Sequence, residues 1–192
     1  MGKKITNIKL SIYSLIMIPH ILIYIRKKNI LDKDLVKYAR KRKVNVIDFI
    51  SVCMFQKVYR NLFYHRIGRH LSFFISWLLP EEKTLHICCN NIGKGAHFEH
   101  NYSTYLNAES IGENFFCLHL VTIGKGAHGK PTLGNNVSIF TGAIVYGHIN
   151  IGDNVKISAG TVVNRDVPNN CLVAGNPAYI IRNNGVVCNI RL

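Results

Sequence analysis

LGNNVSIFTGAIVYGHINIGDNVKISAGTVV, Leu133–Val163, places an aliphatic residue at every sixth position: Leu133, Ile139, Val145, Ile151, Ile157 and Val163. Helices repeat near 3.6 residues and strands near 2, so a period of six belongs to neither element alone. It predicts a parallel β-helix, in which very short strands alternate with turns around a narrow core. A second register runs through Val137, Ala143, Ile149, Val155, Thr161 and Val167, again confined to aliphatic or small residues. Gly134, Gly142, Gly147, Gly152 and Gly160 fall between the two registers, where corners need unusual backbone angles.

Working towards the N-terminus, the array opens at Ile92-Gly93-Lys94-Gly95, with anchors at Ile92, Phe98, Ile111, Cys117 and Ile123. The phase slips by one residue within Asn101–Ala108. Between Ile123 and Leu133 the step is ten residues instead of six, so four residues must leave the coil as a loop within Gly124–Thr132 (GKGAHGKPT). Faults in a strict solenoid are natural places for a site. After Val163, Asn164–Pro168 ends the regular array and Gly175-Asn176-Pro177-Ala178 makes a further turn.

The first 83 residues lack the period of six and read as a small α-helical region. Asp32 or Asp34 is placed to cap a helix over Leu35–Lys43. A longer helix is expected over Val46–His70, and the apolar stretch Leu71–Leu79 stops at Pro80. The expected organisation is a helical region 1–83, a β-helix domain 84–182 and a tail 183–192.

Composition narrows the function classes. An apolar fraction of 48% in 192 residues supports a packed core. The net charge of +14 is uneven: residues 1–43 carry twelve Lys/Arg against two acids, and the other 149 residues carry twelve against eight. Such a segment is either a solvated helical face or attracted to an acidic surface. Nucleic acid is not expected as a partner, since no recognition motif accompanies the charge. The six cysteines lack zinc spacing and disulfide density, so reduced thiols, no metal and a cytoplasmic location are expected. Leu10–Ile25 is too short to span a bilayer and is interrupted at Pro19; no cleavage site of the signal-peptide kind follows it. Met1–Thr6 formally fits a myristoylation pattern. The Leu10–Ile25 stretch is expected to be a helix packed against its neighbours, with the flanking lysines leaving peripheral contact with the inner face of the membrane open to it.

Histidines are dense in the coil: His97, His100, His119, His128 and His148. Three hexapeptides make one coil of 18 residues, so His100 and His119, 19 apart across the slip, should project from the same side one coil apart. A histidine near its ordinary pKa can accept a proton from a hydroxyl.

Ile92–Arg182 resembles the hexapeptide-repeat acyltransferases, specifically the serine acetyltransferase branch. The matching pieces are IGKGAHFEH (Ile92–His100), LHLVTIG (Leu118–Gly124), the loop closed by KPTLGNNV, and DVPNNCLVAGNPAYIIR (Asp166–Arg182). The resemblance implies a left-handed β-helix, a homotrimer, and acetyl-CoA as co-substrate in a groove between subunits. It gives His100 the role of general base and Glu99 that of contacting the acceptor. It lays the pantetheine arm along Thr141, Gly142, Ala143 and Ser158, Ala159, Gly160, Thr161. Gly175, Pro177 and Ala178 match the turn near the adenine end, and Arg182 is placed for the CoA phosphates. His119 is assigned here, from coil stacking, to stabilising the developing oxyanion.

Three departures bear on the acceptor. Thr84-Leu85-His86 stands where the family has an aspartate that orients the base, leaving Glu81 or Glu82 as substitutes. Gly129 and Lys130 stand where the family has an Arg-His pair, with His128 displaced by two. The helical region is also shorter than in typical serine enzymes, which favours a simple trimer over paired trimers. The losses fall on acceptor recognition, so a sugar hydroxyl of a surface polysaccharide precursor competes with L-serine as acceptor. A non-catalytic trimeric binding or scaffold protein and a zinc-dependent hydratase on the same fold are the rival classes.

Overall fold

The computed structural model describes residues 15–192, which divide into two compact units after Glu81. Among these residues, the first unit has five helices: α1 (residues 15–26), α2 (Lys28–Ala39), α3 (Val46–Phe55), α4 (Lys57–Ile67) and α5 (Arg69–Ile75). The first part of Leu10–Ile25 and the whole of Met1–Thr6 lie outside the described residues. No described helix is long and apolar enough to cross a membrane.

The helix boundaries correct the sequence reading in two places. Asp32 and Asp34 lie inside α2, whose N-cap is Lys27 without a side-chain bond. Asp34 instead forms a buried forked pair with Arg66, whose Nε lies 2.8 Å and Nη2 3.2 Å from its carboxylate oxygens. Asp32 accepts the Tyr24 hydroxyl. These acids are held by tertiary partners, which the local sequence does not display. The expected continuous helix over Val46–His70 breaks at Gln56, which is extended (φ −121°, ψ 94°), and again at Gly68 (φ 89°). Arg60 supplies the freed carbonyls, donating Nε to Cys53 O at 2.6 Å and Nη2 to Met54 O at 2.9 Å. α3 itself starts on a reciprocal capping box between Asn45 and Asp48. The core is aromatic: Tyr24 stacks on Phe49 at 4.3 Å between centroids, and Phe49 meets Phe63 at 5.4 Å.

The second unit is a parallel three-faced coil of about five turns. Its first face holds Leu85–Ile87, Thr104–Leu106, Thr122–Gly124, Ile144–Tyr146 and Val162–Val163. The second holds Asn91–Ile92, Ser110–Ile111, Thr132–Leu133 and Asn150–Ile151. The third holds His97–Phe98, Phe116–Cys117, Ser138–Ile139, Lys156–Ile157 and Cys171–Ala174, then turns antiparallel through Tyr179–Asn183 to Val186–Arg191. The last ten residues, set apart in the sequence as a tail, thus supply the edge strand of this sheet. Every residue of both six-residue registers from Leu133 to Val167 is buried, so the period is the period of the core.

The edge between the second and third faces is closed by side chains. Asn114, Asn136, Asn154, Asn170 and Asn184 all have left-handed backbones, with φ of 48–58°. Their amides form a ladder: Nδ2 of each of the first four donates to Oδ1 of the next, at 2.8–3.1 Å. Asparagine tolerates this backbone region because its short polar side chain can bond locally.

The phase slip resolves into two faults. Leu106, fully buried, is the missing anchor: it lies eight positions after Phe98 and five before Ile111. Two residues are therefore added on the way to Leu106 and one is dropped after it. The addition sits at His100–Ser103, where His100 (φ 53°) and Ser103 (φ 48°) turn left-handed. Asn101 fills the gap from inside, fully buried, donating Nδ2 to Leu118 O and to Cys117 Sγ, both at 3.1 Å.

Candidate functional site

The edge between the third and first faces gathers most of the sequence-nominated residues into one column. His100 ends the first turn of this column, His119 the second, Thr141-Gly142 the third, Ala159-Gly160 the fourth and Gly175 the fifth. Backbone bonds join the successive turns: Leu120 N donates to Tyr102 O (3.0 Å), Gly142 N to His119 O (3.1 Å) and Gly160 N to Thr141 O (2.9 Å). Val162 N donates to Gly175 O at 3.3 Å, and Gly175 N to Thr161 Oγ1 at 3.2 Å. By backbone register His100 and His119 fall on the same edge, one turn apart.

Gly142 (φ 69°) and Gly160 (φ 66°) need the left-handed region that glycine enters freely, and a Cβ built on either meets nothing within 4 Å. The edge therefore has bare backbone facing open space over two turns, flanked by Thr141, Ser158 and Ala159. A narrow extended ligand can lie there and reach main-chain amides and carbonyls without displacing side chains. Ala143 and Thr161 are buried in the coil interior, so they shape this track from beneath and do not line it. Ala178 is likewise buried, while Pro177 and Arg182 are exposed; Arg182 sits opposite Leu172 on the antiparallel strand. The Asn176–Pro177 bond in this turn is cis.

At the upper end of the column His100 is exposed and Glu99 half-buried, its N–H donating to Cys117 O at 3.0 Å. His119 is half-buried, and among the described residues its buried Nδ1 has no hydrogen-bond partner. Buried and unpaired, that nitrogen is a polar group the coil itself leaves unsatisfied. Asn101 Oδ1 is likewise buried without a partner. Burial pushes the Cys117 thiol up to about 12, so it stays a neutral neighbour of Asn101.

His128 and Lys130 lie elsewhere. The insertion leaves the coil between the first and second faces, as a tight hairpin in which Gly126 N donates to Gly129 O at 2.8 Å. Gly126 packs so closely on Gly147 that a Cβ would stand 2.8 Å from its Cα, and Gly129 faces His148. His128 is exposed at the hairpin tip and Lys130 half-buried at its base. One chain thus holds the histidine column on one edge of the prism and the protruding loop on another.

Three flanking residues were missed in the sequence: Asn101, Tyr102 and Leu120. Tyr102 and Leu120 are 59% and 51% exposed beside the two histidines. Leu120 has a φ of 59°, a conformation costing a leucine about 1–2 kcal/mol. The only sequence signal for them was the irregular spacing on either side of Leu106. The substitute acid Glu82 is turned to its own strand, accepting Thr84 N (3.2 Å) and Oγ1 (3.0 Å). Among the described residues, no group of three or more His, Cys, Asp or Glu is arranged to hold a metal ion.

Comparison with known proteins bears on this arrangement. Residues 130–165 match the model of the bacterial transferase hexapeptide family, a domain of six repeats. The serine acetyltransferase of Synechococcus elongatus is 40% identical over 101 residues, covering 50% of this chain and 41% of that one. The "Putative colanic acid biosynthesis acetyltransferase WcaB" of Escherichia coli K12 is 40% identical over 93 residues, covering 46% of this chain and 57% of that one. The chain therefore matches only about half the length of these relatives. The crystal structure of Neisseria gonorrhoeae serine acetyltransferase in complex with serine superposes with a TM-score of 0.65 at 28% identity, covering 85% of this chain and 72% of that one. Serine acetyltransferase from Brucella abortus superposes with a TM-score of 0.67 at 21% identity, which shows the same fold, a left-handed β-helix.

Proposed function

We propose that this chain, whose coil matches the bacterial transferase hexapeptide model over residues 130–165 and is similar to the serine acetyltransferases, is an acetyl-CoA-dependent O-acetyltransferase with His100 as general base. The observation that carries this reading is the single edge on which an exposed histidine, a half-buried histidine with a free nitrogen and a bare glycine track follow one another. Acetyl-CoA would lie along Thr141–Gly142 and Ser158–Gly160, its thioester towards His119 and its nucleotide end towards Gly175, Pro177 and Arg182.

The transfer is direct. The acceptor hydroxyl gives its proton to His100 as its oxygen bonds to the thioester carbonyl carbon. The carbonyl oxygen becomes an oxyanion, held by His119 in its N–H form or by main-chain amides. Collapse breaks the C–S bond, and the leaving thiolate takes the proton back from His100. The products are an acetyl ester and free CoA.

The site proposed here is shared between copies of the chain. His128 and Lys130 sit on a different edge from His100, so they reach an acceptor at His100 only if they come from a neighbouring subunit. That geometry favours the homotrimer. For the acceptor, a sugar hydroxyl of a polysaccharide precursor is favoured over L-serine. The support is the 40% identical WcaB relative, together with the replacement of acceptor-side residues at Thr84–His86 and Gly129-Lys130.

Following CoA thiol release with L-serine, nucleotide sugars and oligosaccharides as acceptors tests the reading. Turnover with at least one hydroxyl acceptor, lost in His100→Ala while CoA still binds, supports it. Undiminished turnover in His100→Ala removes the assigned base.

A further inference from the structure

The helical unit leaves a large aromatic face uncovered. His70, Phe73, Phe74 and Trp77 follow the i, i+3, i+4, i+7 spacing of one helical face on α5 and the turn after it. Phe73, Phe74 and Trp77 are 76%, 70% and 74% exposed. Arg69, His70, Phe73 and Phe74 line a shallow cleft together. The opposite side of the same segment is held firmly. Ile75 and Leu79 are buried, Tyr64 donates its hydroxyl to Leu79 O at 2.7 Å, and Arg60 Nη1 donates to Pro80 O at 2.6 Å. The aromatic face is therefore presented by an anchored segment and is not a frayed end.

A second apolar strip lies on α1 of the same unit. Leu15, Ile18, Leu22 and Ile25, spaced three, four and three residues apart, are all exposed, and exposed Arg26 and Lys28 follow them. The inward side of α1, with Met17, His20 and Tyr24, is buried, and His20 Nε2 meets the Tyr64 hydroxyl at 3.0 Å. Both strips thus belong to segments packed on Tyr64.

Charge decides what could cover them. Residues 1–81 contain sixteen Lys/Arg and four Asp/Glu, a net +12, against +2 for residues 82–192. Two copies meeting through this unit would bring +12 against +12. A nucleic acid would meet the charge but would leave phenylalanines and tryptophan in water. An anionic bilayer answers both features: phosphate headgroups take the cations, and the headgroup–acyl boundary takes tryptophan and phenylalanine side chains.

We propose that the helical unit docks on the surface of an anionic lipid bilayer, inserting the Phe73–Phe74–Trp77 face, with Arg69 at its edge and the net positive charge of the unit drawing it to the headgroups. This places the contact on α5, beyond the lysine-flanked N-terminal segment read from sequence. It rests on the helical unit alone and stands whether or not the coil transfers acetyl groups.

Trp77 is the sole tryptophan of the chain, so it reports its own environment. The full-length protein is titrated with neutral phosphatidylcholine vesicles and with vesicles containing 30% phosphatidylglycerol, and Trp77 emission is read. The expected result is a blue shift and protection from acrylamide with the anionic vesicles alone, weakened at least tenfold in 0.5 M salt. The Phe73→Ser/Phe74→Ser double variant, shown folded by circular dichroism, should bind those vesicles at least tenfold more weakly. Unchanged emission with anionic vesicles overturns the proposal, as does equal binding to neutral ones or equal binding by the double variant. Emission already blue-shifted without lipid, moving red on dilution, also overturns it by showing that a second copy covers the face.

Discussion

The two left-handed edges of the coil solve the same backbone problem in opposite ways. Between the second and third faces, positive φ is met by asparagine at four successive turns, and Asn184 in the hairpin of the third face extends the ladder their side chains form. Between the third and first faces it is met by His100, Leu120, Gly142 and Gly160, and at the two glycines the space beyond the backbone is empty. One edge spends its side chains on holding the turns in register. The other joins its turns through main-chain bonds and leaves the backbone at the two glycines bare of side chains, the condition a narrow ligand needs. Register carried on one edge allows the opposite one to be shaped for chemistry.

The comparison breaks most sharply at His100. His100→Ala should lower acetyl transfer by about 10²–10⁴-fold, the usual worth of a general base. The denaturation midpoint should move little, because His100 is exposed, already holds a Cβ at φ 53° and, among the described residues, has no side-chain bond to lose. A loss of stability in step with activity would mean that this edge, too, is structural. A smaller effect is expected on the ladder. Asn154→Ala removes two amide bonds and puts an alanine at φ 57°, costing about 1–2 kcal/mol in chemical denaturation, with turnover per folded molecule kept. Asn154→Gly keeps the backbone conformation and loses only the bonds, so comparing the two separates the contributions.

Smaller still is Gly160→Ala. Nothing crowds the added methyl group, so only the left-handed conformation opposes it, at about 1 kcal/mol. Its signature should be a KM for acetyl-CoA raised several-fold with the KM for the acceptor unchanged. An unchanged KM for acetyl-CoA would move the track off this edge.

The smallest effect is expected from pH and should touch neither edge. Burial lowers the pKa of His20, which is held between Ile16 O and the Tyr64 hydroxyl. The unfolded chain then binds a proton near 6.5 that the folded chain resists, so the helical unit should lose stability as pH falls below about 6.5. His20→Phe should lessen that slope, and His65, whose pKa burial also lowers, should carry the remainder. A coil signal that follows the same pH dependence would show that the two units do not unfold separately.

Much of this was visible in the chain before folding. The six-residue period named the buried positions from Leu133 to Val167 one by one, because each short strand exposes a single central side chain to a narrow core. The four-residue insertion before Pro131 was legible for the same reason. The missing anchor Leu106 was not, because two opposite faults around it cancel to a net slip of one, and a count along the chain sees only the sum. Asn101 was invisible because its worth lies in reaching Cys117 and Leu118 across a turn. The helical unit was less legible still: Asp34 looked like a cap until Arg66, 32 residues away, claimed it.

The sequence by itself determined a coil core with short strands, the places where the coil is interrupted and the residue types that could do acyl chemistry. It could do so because periodicity and insertion length are properties of the chain in one dimension. The tertiary structure decided which residues share an edge. It brought His100, His119 and the glycine track together, sent His128 and Lys130 to another edge, and turned Phe73, Phe74 and Trp77 outward. Those outcomes depend on the angle at which each turn stacks on the last and on which helix face finds a partner, and neither is written in local spacing.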